Sequence, residues 1–178
     1  SSVFTVSLPF LLIGGPLLYS FGIESGWIPI GPKERVTKSD GNVVCKIGND
    51  TALQFYQHYL GVEVVSGVDK TVGEYPLAIF EEDGVSFYMR GGGLPVQGSG
   101  DLIFMGDVPE GAMVQISHAP SRDKILEATE KAVRTSVDGY PGKEPLAAIC
   151  FPGSSRKQLL GTRIGEEYAV FRRNYPDL

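Results

Sequence analysis

Residues 76–90 read PLAIFEEDGVSFYMR, and this stretch decides the fold class. Two β-leaning runs, Leu77–Phe80 and Val85–Arg90, flank Asp83-Gly84. Asp-Gly between such runs is a strong hairpin signal, because the turn needs residues that tolerate positive φ. The same device recurs upstream, where Arg35–Lys38 and Asn42–Ile47 flank Ser39-Asp40-Gly41. Downstream, Leu102–Met105 and Ala112–Ser117 are strand candidates joined by GDVPEG. Between the hairpin and that pair lies RGGGLPVQGSG, Arg90 to Gly100, whose glycine content reads as a mobile loop.

Helical periodicity interrupts the strands three times. In NDTALQFYQHYLG, Asn49 or Asp50 can cap a helix that places Ala52, Phe55, Tyr56 and Tyr59 on one face, and Gly61 ends it. Pro120-Ser121 opens a second helix over about 122–137, with Ile125, Ala128, Thr129, Ala132 and Val133 inward. The third spans about 155–174, with Leu160, Ile164, Tyr168 and Phe171 along one stripe. Leu146–Phe151 before it reads as a fully apolar strand. Hairpins mixed with strand–helix units predict an α+β fold: a mixed, largely antiparallel sheet with about three helices packed on it.

The 178 residues are enough for one substantial core, and a 42% apolar fraction excludes a disordered chain. A net charge of -5 with no basic run speaks against nucleic acid and anionic membrane surfaces. Cys45 and Cys150 form no CxxC and no zinc spacing with His58 or His118, so the expectation is reduced thiols and no metal site. Residues 1–23 carry no charge, which raises a membrane reading. Pro9 and Gly14-Gly15-Pro16 divide them into short runs, however, and strands Phe10–Ile13 and Pro16–Phe21 buried on both faces are the expectation. The GWIPIGP segment, 26–32, reads as a stiff, turn-rich connection. Starting at Ser1 without methionine, the chain reads as a fragment.

Four stretches together resemble FIST-type sensory proteins. GWIPIGP followed by VTKSDGNVV resembles the junction between that family's N-terminal and C-terminal domains. NDTALQFYQHYLG resembles the helix that follows, and EYPLAIF with LIFMGDVPEGAMVQIS resembles the central hairpins. PLAAICFPGSSRKQLLG, 145–161, resembles the strand ending in cysteine and the helix after it, although Cys and Arg are usually closer together there. The resemblance implies that 1–38 is the end of an N-terminal FIST-like domain and that 39–178 is a C-terminal FIST domain lacking its last strand. It further implies a cytoplasmic signal-transduction module for a small, amino-acid-like ligand, with no catalytic role. Implied partners are an N-terminal FIST domain and a histidine kinase, cyclic-dinucleotide enzyme or chemotaxis receptor.

The candidate ligand-binding residues are Cys150, Gly153, Ser154, Ser155, Arg156, Arg90 and Trp27. At Cys150–Arg156 an apolar run ends, a loop turns and a helix begins, so free N–H groups, two hydroxyls and a guanidinium can cradle an anion. Against this stands a plain serine cap with the arginine in solvent. Arg90 at a strand end can reach a carboxylate or simply close the strand, and Trp27 can wall a pocket or pack a turn. The pattern C-x-x-G-x-x-R also matches the loop of cysteine phosphatases, in which a lowered thiol pKa makes the nucleophile. Ile149 stands where those enzymes have histidine, and Asp107 or Asp123 is only a guess for the general acid. A haem or nitric oxide sensor would use His58, His118 or Cys150 as iron ligand, without CxxCH support. Glu166 and Glu167 read as a solvated face.

Overall fold

The computed structural model describes residues 11–61 and 75–176. The Phe10 end of the first apolar run lies outside them. Eight strands form one sheet in the order β5-β4-β8-β1-β2-β7-β6, with β3 paired to β2, and every pairing is antiparallel. The strands are β1 (Ile28–Asp40), β2 (Val43–Ile47), β3 (Asp50–Thr51), β4 (Leu77–Phe80), β5 (Phe87–Arg90), β6 (Gly92–Pro95), β7 (Leu102–Phe104) and β8 (Met113–His118). The helices are α1 (Ala52–Leu60), α2 (Arg122–Asp138), α3 (Ser154–Leu160) and α4 (Ile164–Asn174), with a 3-10 turn over Gly161–Arg163 linking the last two. The chain is thus an α+β domain, as its hairpins predict.

Both Asp-Gly turns form hairpins. In the second, Asp83 accepts bonds from the Val85 and Ser86 N–H groups and from Ser86 Oγ (2.8, 2.8 and 2.6 Å), which hold its carboxyl below the usual aspartate range. β1 is longer than its sequence suggests. It takes in most of the GWIPIGP segment, which is therefore strand and not a turn-rich connection. Its first half pairs with β8 and its second with β2, and the register breaks between Ile30 and Glu34. Gly31-Pro32 sits in that break, where the missing proline N–H costs no ladder bond. GDVPEG folds back along the other edge of the β1 hairpin: Val108 N donates to Gly41 O and Gly111 N to Val36 O (2.9 and 2.8 Å).

The glycine-rich stretch is more ordered than expected, since β6 occupies 92–95 and pairs with β7. A side chain at Gly92, φ +104, would meet the β7 backbone within about 3.2–3.3 Å, so the strand can lie there only as glycine. β5 and β6 are the two ends of the sheet path, yet Gly91 alone separates them in sequence. The sheet must therefore curl until its edges meet at this corner. Val36, Val44, Leu77, Ile79, Leu102, Phe104 and Ile116 fill one core, with Phe55 and Tyr56 of α1 packed among them. Tyr59 leans out to 44% exposure. Tyr56 is fully buried and donates to Tyr75 O (3.1 Å), and burial pushes its phenol pKa up, so it remains a donor.

The cap of α1 is Thr51 and not Asn49 or Asp50. Its Oγ accepts from Gln54 N (3.2 Å) while Gln54 Oε1 accepts from Thr51 N (3.0 Å), a reciprocal capping box. Thr51→Ala is expected to cost about 1 kcal/mol, checked as a lower urea midpoint with unchanged slope.

Two apolar runs do not form the strands expected of them. Neither 11–27 nor 146–151 carries strand or helix, and Leu12, Leu146 and Phe151 are 87%, 96% and 89% exposed. A strand forms only where a neighbouring edge accepts its hydrogen bonds, and none of the eight strands pairs with either run. Residues 20–26 instead run antiparallel along α2. Ser20 Oγ donates to Ser136 O (2.5 Å), Glu24 pairs with Lys131 (2.5 Å), and Gly26 lies against Ile125. At Gly22 a Cβ would fall 1.9 Å from Ala132 O, so only glycine permits this approach. Among the described residues, no helix is long and apolar enough to cross a membrane.

Candidate functional site

The third helical region breaks where a single helix is expected. Gly161 at φ +56 ends α3, and a 3-10 turn follows before α4 begins. Leu160 remains inward, but Tyr168 turns out to 65% exposure, and Glu167 and Val170 take the buried face. Of the two glutamates expected in solvent, only Glu166 is there, paired with Arg163 (2.6 Å). Glu167 is 8% exposed.

Arg156 meets Glu167 inside. Its Nε donates to Glu167 Oε1 (2.6 Å), and one terminal nitrogen donates to the carbonyls of Ser25 (2.6 Å) and Glu24 (3.3 Å). The other donates to Ile125 O (2.8 Å) and to the Thr129 hydroxyl. Every N–H of the guanidinium is therefore engaged. Thr129 Oγ1 lies 2.9 Å from Glu167 Oε1, to which it can donate. One ion pair thus ties together the N-terminal stretch, α2, α3 and α4. In sequence this was invisible: Arg156 reads as a cation at a helix start, open to an anion or to solvent, and Glu167 as part of a solvated face. The seven-residue spacing of Leu160 and Glu167, which puts both on one helical face, was the available signal.

The remaining candidates fall in three places. Gly153 caps α3 without a side-chain bond; Ser154 is exposed and Ser155 half-buried beside it. Cys150 lies on the irregular stretch before them, close enough for both ion-pair charges to act on its thiol. Burial first, and then the Glu167 charge, push that thiol above its ordinary range, while Arg156 opposes them. The direction is opposite to the thiolate activation that a phosphatase loop needs. Alkylation of Cys150 at pH 7 is expected to be slower than that of a free peptide thiol, with its rise displaced to higher pH than the peptide's, and Glu167→Gln should speed it; mass spectrometry of timed iodoacetamide reactions reads both.

Arg90 is elsewhere. It stacks on Tyr88 (4.5 Å) and donates to Asp107 O (3.0 Å), closing the sheet corner onto the GDVPEG turn. Trp27 is 8% exposed and packs with Ile125 and Leu160 in a second core that also touches Met89 and Ala119. His58 is exposed on α1, stacked on Tyr59, and His118 ends β8. Among the described residues, no group of three or more His, Cys, Asp or Glu side chains is arranged to hold a metal.

A curled antiparallel sheet bearing a helical layer, locked by one buried ion pair, defines an α+β domain with its polar hub away from the sheet core. The FIST C domain model matches residues 52–177, and the chain belongs to that family. This is a family of sensory domains, and membership is consistent with a sensory role. No curated protein and no solved structure matches the chain.

Proposed function

We propose that this chain is the ligand-binding sensory domain of a cytoplasmic signal-transduction protein, and not a free-standing enzyme. Its ligand is a small anionic or zwitterionic, amino-acid-like metabolite taken up beside the Cys150–Arg156 loop. The observation that carries this reading is the Arg156 hub. It joins four chain segments and acts on the thiol of Cys150, in a stretch, 140–153, that holds neither strand nor helix. A ligand signals only through different affinities for two arrangements. A guest that tightens or loosens the hub changes the hold on Glu24 and Ser25, and through them on the N-terminal stretch. The moving part is then this region and not the 91–100 segment, four residues of which are strand.

Thermal-shift screening of the chain with amino acids and small carboxylates tests the proposal. A ligand at about 100 times its Kd should add about 2.7 kcal/mol, or several degrees in Tm. No shift across a broad panel would overturn it. A second reading has its own support: Leu11, Leu12, Leu17, Leu18, Tyr19 and Phe21 are all exposed. That apolar row suits pairing with an N-terminal FIST domain, with a histidine kinase, cyclic-dinucleotide enzyme or chemotaxis receptor as the output partner. Better solubility on co-expression with such a domain supports it, and unchanged solubility counts against it.

A further inference from the structure

Glu167 carries an unanswered hydrogen-bonding demand. Its Oε1 takes both Arg156 Nε and the Thr129 hydroxyl, whereas Oε2 is buried without any partner. A buried carboxylate oxygen with open lone pairs is costly, and native interiors rarely tolerate one without a reason. Ser117 Oγ is the other such atom among the described residues, but a hydroxyl can rotate toward a new acceptor and carries no charge. Glu167 has neither escape. Protonating Oε2 would only create a donor that lacks an acceptor.

The surrounding chemistry selects what can answer it. The Arg156 N–H groups are all engaged, so the hub offers no cationic donor to an incoming anion. A simple carboxylate entering beside Oε2 would meet a charge of its own sign. A group rich in N–H and positive charge meets an acceptor that is already desolvated and fixed in place by its other oxygen. The exposed chain nearest in charge to this carboxylate is the Cys150 stretch. That thiol feels the Glu167 charge, and its stretch is exposed and bound into no strand or helix.

We infer that Glu167 is the ligand-recognition residue of this site, its Oε2 receiving a primary ammonium group, so that the ligand is an amine or a zwitterion and not a plain anion. The inference rests on the sensing reading above and narrows it. The ligand's ammonium replaces an absent partner and displaces no existing bond of Arg156. Binding therefore tightens the hub while the 140–153 stretch moves aside.

Calorimetry and thermal shift on the full chain test this with L-alanine, L-serine and L-glutamate, each beside its deaminated and its N-acetylated analogue. At least one amino acid is expected to bind, and both analogues to bind roughly tenfold or more weakly. Glu167→Gln keeps the side-chain size but turns a donor toward the ammonium, and it should lose the same factor with an unchanged circular dichroism spectrum. Bound amino acid should also protect Cys150 from alkylation. If that variant does not fold, the analogue pairs decide alone. Deaminated acids binding as well as the amino acids would overturn the role of Glu167 and leave the sensing proposal standing. Binding by none of the three sets would overturn both.

Discussion

Arg156→Ala is expected to destabilise the chain by about 3–5 kcal/mol, because it leaves the Glu167 carboxylate buried without its partner. The loss is not that of a surface ion pair. Both side chains are about nine-tenths buried, at 11% and 10% exposure, and the guanidinium also satisfies three backbone carbonyls. An arginine in solvent would cost under about 0.5 kcal/mol on truncation, so the measurement separates the two cases cleanly. For a domain of this size the change corresponds to a Tm drop on the order of 10 °C, read by calorimetry and by the urea midpoint. The double replacement Arg156→Met with Glu167→Leu should recover only part of the loss, since no charge is then left unpaired but the carbonyls of Glu24, Ser25 and Ile125 lose their donor. Arg156→Lys should not, because an ammonium cannot reach carbonyls on two sides of a planar fork.

The local rules that wrote the hairpins into the sequence are short-range, and they were legible. Asp83-Gly84 and Asp40-Gly41 need only their own φ angles and the runs beside them, and both turns form where expected. Helices α1 and α2 were legible for the same reason, with Thr51 displacing Asn49 and Asp50 as cap because Gln54 can answer it. Whatever depended on a distant neighbour was not legible. The apolar runs at 11–23 and 146–151 have strand composition, but composition cannot say whether an edge is present to receive them. Gly92 and Gly93 suggested mobility, whereas their positive φ values allow β6 to lie against β7. The site shows the same division. Cys150, Gly153 and Ser154 are adjacent in sequence and stay together, while Trp27 joins them only through the second core and Arg90 belongs to the sheet corner. Glu167 was hidden by its charge: it shares the helical face of Leu160, seven residues earlier, but a glutamate reads as solvated until its buried partner Arg156 is known.

Trp27→Ala is expected to cost about 3–5 kcal/mol, and this outcome bears on how the two halves of the molecule hold together. The indole is buried among Ile125 of α2 and Leu160 of α3, with Met89 of β5 and Ala119 beyond β8 against the same cluster. It is thus the largest apolar group joining the helical layer to the sheet edge. Trp27 also lies two residues after Ser25, whose carbonyl, with that of Glu24, is held by Arg156. Truncating it opens a cavity beneath that anchor, so the Trp27 and Arg156 variants should not add. Residues sharing neighbours typically couple by about 0.5–3 kcal/mol, and a double-mutant cycle in urea would read that coupling. A tryptophan serving only as a pocket wall would behave otherwise: its loss would weaken ligand binding with little effect on stability, and it would be additive with Arg156→Ala. Finding strong coupling means that a ligand acting on the hub also shifts the packing around the indole. The N-terminal stretch would then be displaced together with the helices, and its exposed leucines would change their presentation to whatever they dock against.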